Sequence, residues 1–148
     1  MSLPPTLPPT FTTASLLVAG GGALGAWLRF VTGRLWTAAI GPIAASAFPW
    51  STLTVNVLGS LAMGLLAGWA ARHGDVNETW RSVHPESWRL LLGVGVLGGY
   101  TTFSAFALEF ALFVERGALG MAALYTGLSL VAGFAALFAG LFIMRTVQ

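Results

Sequence analysis

Four long apolar stretches, separated by shorter polar ones, dominate the hydropathy pattern of this chain. They run from about Ser15 to Trp36, Trp50 to Ala71, Trp88 to Val114 and Ala118 to Met144. Each is long enough to cross the hydrocarbon core of a bilayer as an α-helix, which takes about 20 residues. The pattern therefore predicts an all-α membrane protein with four transmembrane helices.

Three connections separate the predicted spans. Thr37–Pro49 contains two breaker pairs, Arg72–Ser87 is polar, and Glu115–Gly117 is a tight charged turn. The first 14 residues are rich in proline and threonine and have no positively charged region. They predict a short tail rather than a signal peptide, with residues 15–148 as the membrane domain.

The composition agrees with a lipid environment and narrows the chemistry. Hydrophobic residues make up 56% of the chain and charged residues 8%, against about 25% charge in soluble domains. The absence of cysteine excludes thiolate metal sites and cysteine nucleophiles. Neither histidine, His73 or His84, has a catalytic or metal-binding pattern around it. We expect no enzyme, and the scattered arginines predict no nucleic-acid partner.

The arginines give little information on orientation. The side of the membrane that holds both termini would carry Arg72, Arg81, Arg89 and Arg145. The opposite side would carry Arg34 and Arg116, and also Arg29 if its side chain snorkels. Because positive charge sets topology, this near balance leaves two alternatives: one fixed orientation, or insertion both ways and an antiparallel homodimer.

The third span carries the most unusual sequence. Gly98-Gly99 is followed closely by the β-branched pair Thr101-Thr102, and neither pair favours a helix. We predict a helix broken near the bilayer midplane. Freed backbone groups are tolerated there only where they line a cavity or coordinate an ion. A continuous helix with a tight packing face is the alternative.

Neutral polar residues recur at helical spacing in the second and fourth spans. Thr52 and Asn56 share one helix face, as do Tyr125 and Ser129. These side chains could join helices to each other. They could also hydrogen-bond a small anion without trapping it, as a channel requires.

Aromatic and charged positions add two further candidates. Phe103 and Phe106 begin a phenylalanine stripe, which is ordinarily core or lipid contact. Their electropositive ring edges could also face an anion. Glu109 lies well inside a span and is either functional or paired with an arginine. Arg29 stacks above Gly21 and Gly25, at the mouth of a vestibule or at the interface.

Three motifs resemble the CrcB/Fluc fluoride channels, and the resemblance covers essentially all four spans. The motifs are Gly22-Ala-Leu-Gly-Ala-Trp-Leu-Arg29, Thr52-Leu-Thr-Val-Asn-Val-Leu-Gly59, and Gly98-Gly-Tyr-Thr-Thr-Phe-Ser-Ala-Phe106 with Glu109. The third is the most specific.

The resemblance implies a dual-topology homodimer in the lipid of the inner cell membrane, with two antiparallel fluoride pathways. It implies a structural sodium ion at the centre, held by the backbone carbonyls of Gly98 and Thr101 from both subunits. Hydrogen fluoride enters cells neutral and dissociates in a less acidic cytoplasm. A passive channel would let the trapped anion leave, which confers resistance to fluoride.

The same resemblance implies a role for each candidate residue. The fluoride pathway would comprise Thr52, Asn56, Phe103, Phe106, Tyr125 and Ser129, with Arg29 at the vestibule and Glu109 in gating or polar support. In familiar members the polar track can continue with a serine one turn past Ser129, but this chain has Gly133. Water or a backbone group would have to substitute, with an effect on conduction rate more than on selectivity.

Two other functions compete with a channel. A small proton-coupled exporter of the four-helix multidrug type depends on a buried glutamate in its first span, where this chain has no acid. A non-transporting assembly subunit would explain the small-residue faces but not a broken third span.

Overall fold

All regular structure in the computed structural model is helical across the residues it describes, 8–73 and 85–146. The elements are α1 (Phe11–Ala47), α2 (Trp50–His73), α3 (Pro85–Trp88), a π-helical segment (Arg89–Leu97), α4 (Gly98–Tyr100), α5 (Phe103–Glu115) and α6 (Leu119–Thr146).

Four helical stretches are long and apolar enough to cross a membrane. They are Phe11–Ala47, Trp50–Ala71, Glu86–Glu115 and Leu119–Thr146. The third contains α3, the π-helical segment, α4 and α5 in succession. The prediction of four spans is confirmed. Most of the second connection and residues 1–7 of the predicted tail lie outside the described residues.

The first helix is longer than predicted at both ends. It begins at Phe11 because the Thr10 side chain accepts a hydrogen bond from the Thr13 amide, an N-cap. It continues to Ala47 with a kink at Gly41, where φ is 81° and Pro42 follows. Glycine adopts this positive φ without steric cost, and proline fits the first turn of the resumed helix. The two predicted breaker pairs are confirmed, since Gly41-Pro42 interrupts the helix and Phe48-Pro49 follows its end, but the predicted connection Thr37–Pro49 was wrong in its extent.

The third connection, Glu115–Gly117, agrees with its prediction of a tight turn. Gly117 has a φ of 71° and closes the end of α5, where its amide donates to the Val114 carbonyl at 2.9 Å. The Ala118 amide donates to Phe113 at 2.9 Å. A positive-φ glycine with these bonds ends a helix at once, so α6 starts two residues later.

The glycines of α1 and the third span let these two helices touch through their backbones. A Cβ atom on Gly21 would collide with the Leu91 carbonyl oxygen, and one on Gly25 with that of Val96. A Cβ on Gly99 would lie 3.0 Å from the Gly22 Cα. Such close approach is how small residues stabilise helix pairs in lipid. Gly98-Gly99 was expected to break the helix, but both residues are helical and the second serves packing.

Helices α2 and α6 form the other close pair and run parallel in a constant register. Gly64 lies against the Leu137 carbonyl oxygen, and the nearest carbonyl to Gly68 is that of Leu141. Both pairs are 73 positions apart. This register, extended toward the start of both helices, places the predicted polar residues of α2 level with those of α6.

Candidate functional site

The third span is broken at two residues, Thr101 and Thr102, here called the break. Thr101 has φ −81° and ψ 161°, and Thr102 has φ −155° and ψ 120°, so both are extended. The helical ladder ends where the Thr101 amide donates to the Leu97 carbonyl at 3.0 Å. The predicted discontinuity is confirmed, and the β-branched threonines rather than the glycines occupy it.

Asn56 of α2 holds the break through both ends of its amide. Its Nδ2 donates to the Thr102 carbonyl at 3.1 Å, and its Oδ1 accepts from the Thr102 amide at 2.9 Å. One side chain thus replaces the hydrogen bonds that a neighbouring strand would provide. Because the Thr102 amide is engaged in this way, it does not continue the helical ladder to the Gly98 carbonyl.

Two further side chains form hydrogen bonds with backbone groups at the break or just after it. Arg29 of α1 donates from Nη1 to the Thr101 carbonyl at 3.1 Å. The Thr102 hydroxyl accepts from the Ala105 amide at 3.2 Å and so caps α5. Arg29 therefore lies at the break, and the alternative that it snorkels to the interface is not what the structure shows.

Glu109 is joined to two hydroxyl groups from different helices. Thr52 Oγ1 donates to Oε1 at 2.7 Å, and Tyr125 OH donates to Oε2 at 2.6 Å. Tyr125 is fully buried, with 0% of its surface exposed. The alternative pairing with an arginine is absent among the described residues. Both hydroxyl hydrogens point at the carboxylate, so Thr52 and Tyr125 bind Glu109 rather than offering a free donor.

The two phenylalanine rings have unlike surroundings. Phe103 is 79% exposed, whereas Phe106 is partly buried beside Tyr125, with ring centroids 5.1 Å apart and planes tilted by 46°. The centroids of Phe103 and Phe106 lie 5.8 Å apart. The exposed ring of Phe103 can thus contact a second molecule. The partly buried ring of Phe106 lies beside the polar residue Tyr125.

Two hydroxyls of α6 are buried without a hydrogen-bond partner. They belong to Ser129, which was predicted, and Thr126, which was not. A buried hydroxyl inside a membrane ordinarily bonds to a backbone carbonyl, to water or to a ligand. These two groups are therefore free to bind a solute or a water molecule.

An open cleft of about 400 Å³ lies beside the break, and we call it the cleft. Its lining includes Arg29, Ser51, Thr52, Val55, Thr102, Ser104, Ala105 and Leu108. Ser51 and Ser104 were not among the site residues predicted from the sequence. The signal for Ser104 was present, since it falls inside the most specific motif, two residues after Thr102.

These features define a multi-pass membrane protein built around a discontinuous helix, in which side chains from two other helices, α1 and α2, bind the broken backbone. The chain belongs to the CrcB family, described as "CrcB-like protein, Camphor Resistance (CrcB)", whose family model matches residues 16–141.

Relatives in several bacteria carry the name "Fluoride-specific ion channel FluC". The protein of Novosphingobium aromaticivorans is 58% identical over 135 residues, which cover 91% of this chain and 98% of the relative. That of Erythrobacter litoralis is 49% identical over 140 residues, which cover 95% and 96%. That of Caulobacter vibrioides is 46% identical over 132 residues, which cover 89% and 95%.

Proposed function

We propose that this chain is a fluoride-specific channel that lets the anion leave a bacterial cytoplasm passively across the inner membrane. The observation that carries the proposal is the similarity to proteins of that name along almost the whole chain. The break supports it because it supplies oriented polar groups at membrane depth.

A positive charge and neutral hydrogen-bond donors near the break favour an anion. Arg29 contributes a positive charge to the cleft, while both oxygens of Glu109 already accept hydrogen bonds. Free donors remain, namely the second hydrogen on Asn56 Nδ2 and the hydroxyl of Ser129. Neutral donors bind a dehydrated anion weakly enough to release it.

Efflux from liposomes tests the function directly. Purified protein should release fluoride down its gradient, as read with a fluoride electrode, and should retain chloride in the same vesicles. The rate should not change when a proton gradient is imposed with buffers of different pH. Dependence on that gradient would favour the proton-coupled exporter, and equal loss of chloride would contradict a fluoride-specific pathway.

We further propose that the functional unit is a homodimer. The cleft opens to the outside of the protomer. Its lining includes Ser104 and the extended residue Thr102, and the side chain of Phe103, between them in the sequence, is 79% exposed. Irregular backbone facing lipid is not tolerated, so the cleft needs a protein cover. A second copy of the same surface would provide one and would enclose Phe103.

The two protomers are proposed to be antiparallel, and labelling of single cysteines tests this. With Arg29 at the break, four arginines remain toward one membrane face and two toward the other, a small bias. Asn77→Cys and Glu115→Cys, in the second and third connections of a cysteine-free chain, leave every arginine in place and should each be labelled from both sides of the membrane. Labelling of each variant from one side only, and from opposite sides, would establish a fixed topology instead.

A sodium ion between the subunits is proposed for the carbonyls of Gly98 and Thr101. Hard cations prefer oxygen ligands, and among the described residues no cluster of three or more His, Asp or Glu side chains offers another site. The Gly98 carbonyl is not used by the Thr102 amide, whereas the Thr101 carbonyl is shared with Arg29. The Gly98 carbonyl oxygen therefore fits as a sodium ligand. The Thr101 carbonyl oxygen already accepts one hydrogen bond but keeps a second lone pair. When bound, the ion would fix the two breaks against each other.

Exchange of the buffer cation tests the sodium site. Protein purified throughout in an organic-cation buffer should release fluoride more slowly, and added sodium should restore the rate better than potassium. Thr101→Ser should keep this response because the backbone carbonyl remains. Equal rates in all three buffers would leave the site without sodium.

A further inference from the structure

The polar residues of α2 continue one turn beyond the break. Thr52, Asn56 and Ser60 are spaced by four positions and share a helix face. The first binds Glu109 and the second binds Thr102, so this face points at the site. Ser60 extends it away from the cleft and has no hydrogen bond to any residue that the structure describes.

Helix α6 faces these positions at the same levels. Tyr125 meets Thr52 through their shared partner Glu109, and the constant register of 73 positions puts Ser129 level with Asn56. The next level pairs Ser60 with Gly133. The two helices thus form what we call a polar ladder, with three levels. The first two levels have a polar side chain on each helix, and the third has one on α2 alone.

The third level contains space next to a hydroxyl. A Cβ atom on Gly133 would have one neighbour within 4 Å, the Ser60 Oγ atom at 3.7 Å. The Ser60 hydroxyl therefore borders the space that a side chain on α6 would fill. One turn earlier, the buried hydroxyl of Ser129 has no partner, and neither has that of Thr126.

We infer that Ser60 is a further residue of the fluoride pathway, whose hydroxyl donates to the anion, or to a water travelling with it, at the level where α6 has Gly133. The inference rests on the proposed fluoride conduction. An anion leaving Ser129 then finds a donor across the ladder, on α2, rather than one further along α6. The open space beside Gly133 accommodates it.

A rescue experiment in liposomes tests this. Ser60→Ala should slow fluoride efflux about tenfold, the loss expected when an anion gives up one hydrogen-bond donor. Adding Gly133→Ser to that variant should restore most of the rate, since a serine Cβ there makes only an ordinary contact. Adding Gly133→Ala instead should not restore it, because methyl bulk supplies no donor.

The outcomes distinguish a failure of the Ser60 inference from a failure of the proposed fluoride conduction. If the parent releases fluoride and Ser60→Ala does so equally fast, Ser60 lies off the pathway although the channel stands. Equal rescue by alanine and serine at position 133 would assign Ser60 to packing. A parent that releases no fluoride would remove both the function and this inference.

A cysteine variant independently measures whether position 60 can be reached from water. It also provides a test if Ser60→Ala fails to assemble. Ser60→Cys keeps the size of the side chain and introduces the chain's first thiol. Silver ions, which bind thiolates and follow water-filled paths, should inhibit efflux through this variant and leave the parent unaffected. Full efflux of the variant in silver would place position 60 outside the pathway.

Discussion

Asn56→Leu is expected to abolish fluoride efflux. Leucine has nearly the shape of asparagine but cannot bond to the amide or the carbonyl of Thr102, which lie 2.9 and 3.1 Å from the Asn56 amide group. Each unsatisfied backbone group at membrane depth costs several kcal/mol, so about 3 kcal/mol is a conservative loss. The Thr102 amide would then return to the helical ladder, and the break would close.

The measurement is efflux of fluoride from liposomes at equal protein content, with assembly checked by size-exclusion chromatography. Thr54→Val is the matched control: it is also a nearly isosteric change on α2 that removes one side-chain hydrogen bond, from Trp36 Nε1 at 3.0 Å, whose donor lies on α1 and not in the break. It should keep most of the flux. Parental flux through an assembled Asn56→Leu variant would mean that the break does not depend on this amide.

Phe106→Ile is expected to reduce fluoride efflux below detection, whereas Phe106→Tyr should retain part of it. The Phe106 ring lies between Phe103 and the buried Tyr125, with centroid distances of 5.8 and 5.1 Å. Its edge is the electropositive part that can face an anion in a dry passage. Isoleucine keeps the bulk and loses this edge, while tyrosine keeps the ring.

A second phenylalanine on α6 provides the control for general loss of aromatic packing. Phe134 is 59% exposed and is not one of the proposed pathway residues, so Phe134→Ile should leave efflux unchanged. Both isoleucine variants are compared only if they elute like the parent in size-exclusion chromatography. If Phe106→Ile conducts as well as Phe134→Ile, the ring fills space only and the anion relies on hydroxyl and amide donors.

Hydropathy and residue spacing were sufficient for the architecture. Long apolar stretches must become helices in a bilayer, because no other open structure satisfies their backbone groups in lipid. A threonine pair in mid-span likewise indicated the break, and the period of the helix brought Thr52 and Asn56 to one face. These are local properties, so a single sequence carries them.

The partners of each polar group were decided by tertiary structure. Sequence alone allowed Arg29 to be a snorkelling side chain and allowed Glu109 to pair with an arginine, yet they bind the Thr101 carbonyl and two hydroxyls. The role of Gly99 also depended on α1, whose backbone lies against it. Local sequence does not give the distance between helices. Glycine occurs both where a helix bends and where a neighbouring helix packs closely, so the residue type alone does not distinguish the two.

The position of Ser60 opposite Gly133 is the clearest example of a contact that the sequence alone did not determine. The sequence determined that α6 lacks a hydroxyl at position 133 and that Ser60 continues the α2 face. The parallel register of the two helices placed these facts next to each other. That register is set by glycine contacts further along both helices, at Gly64 and Gly68, because backbones in close contact can interlock in only a few positions.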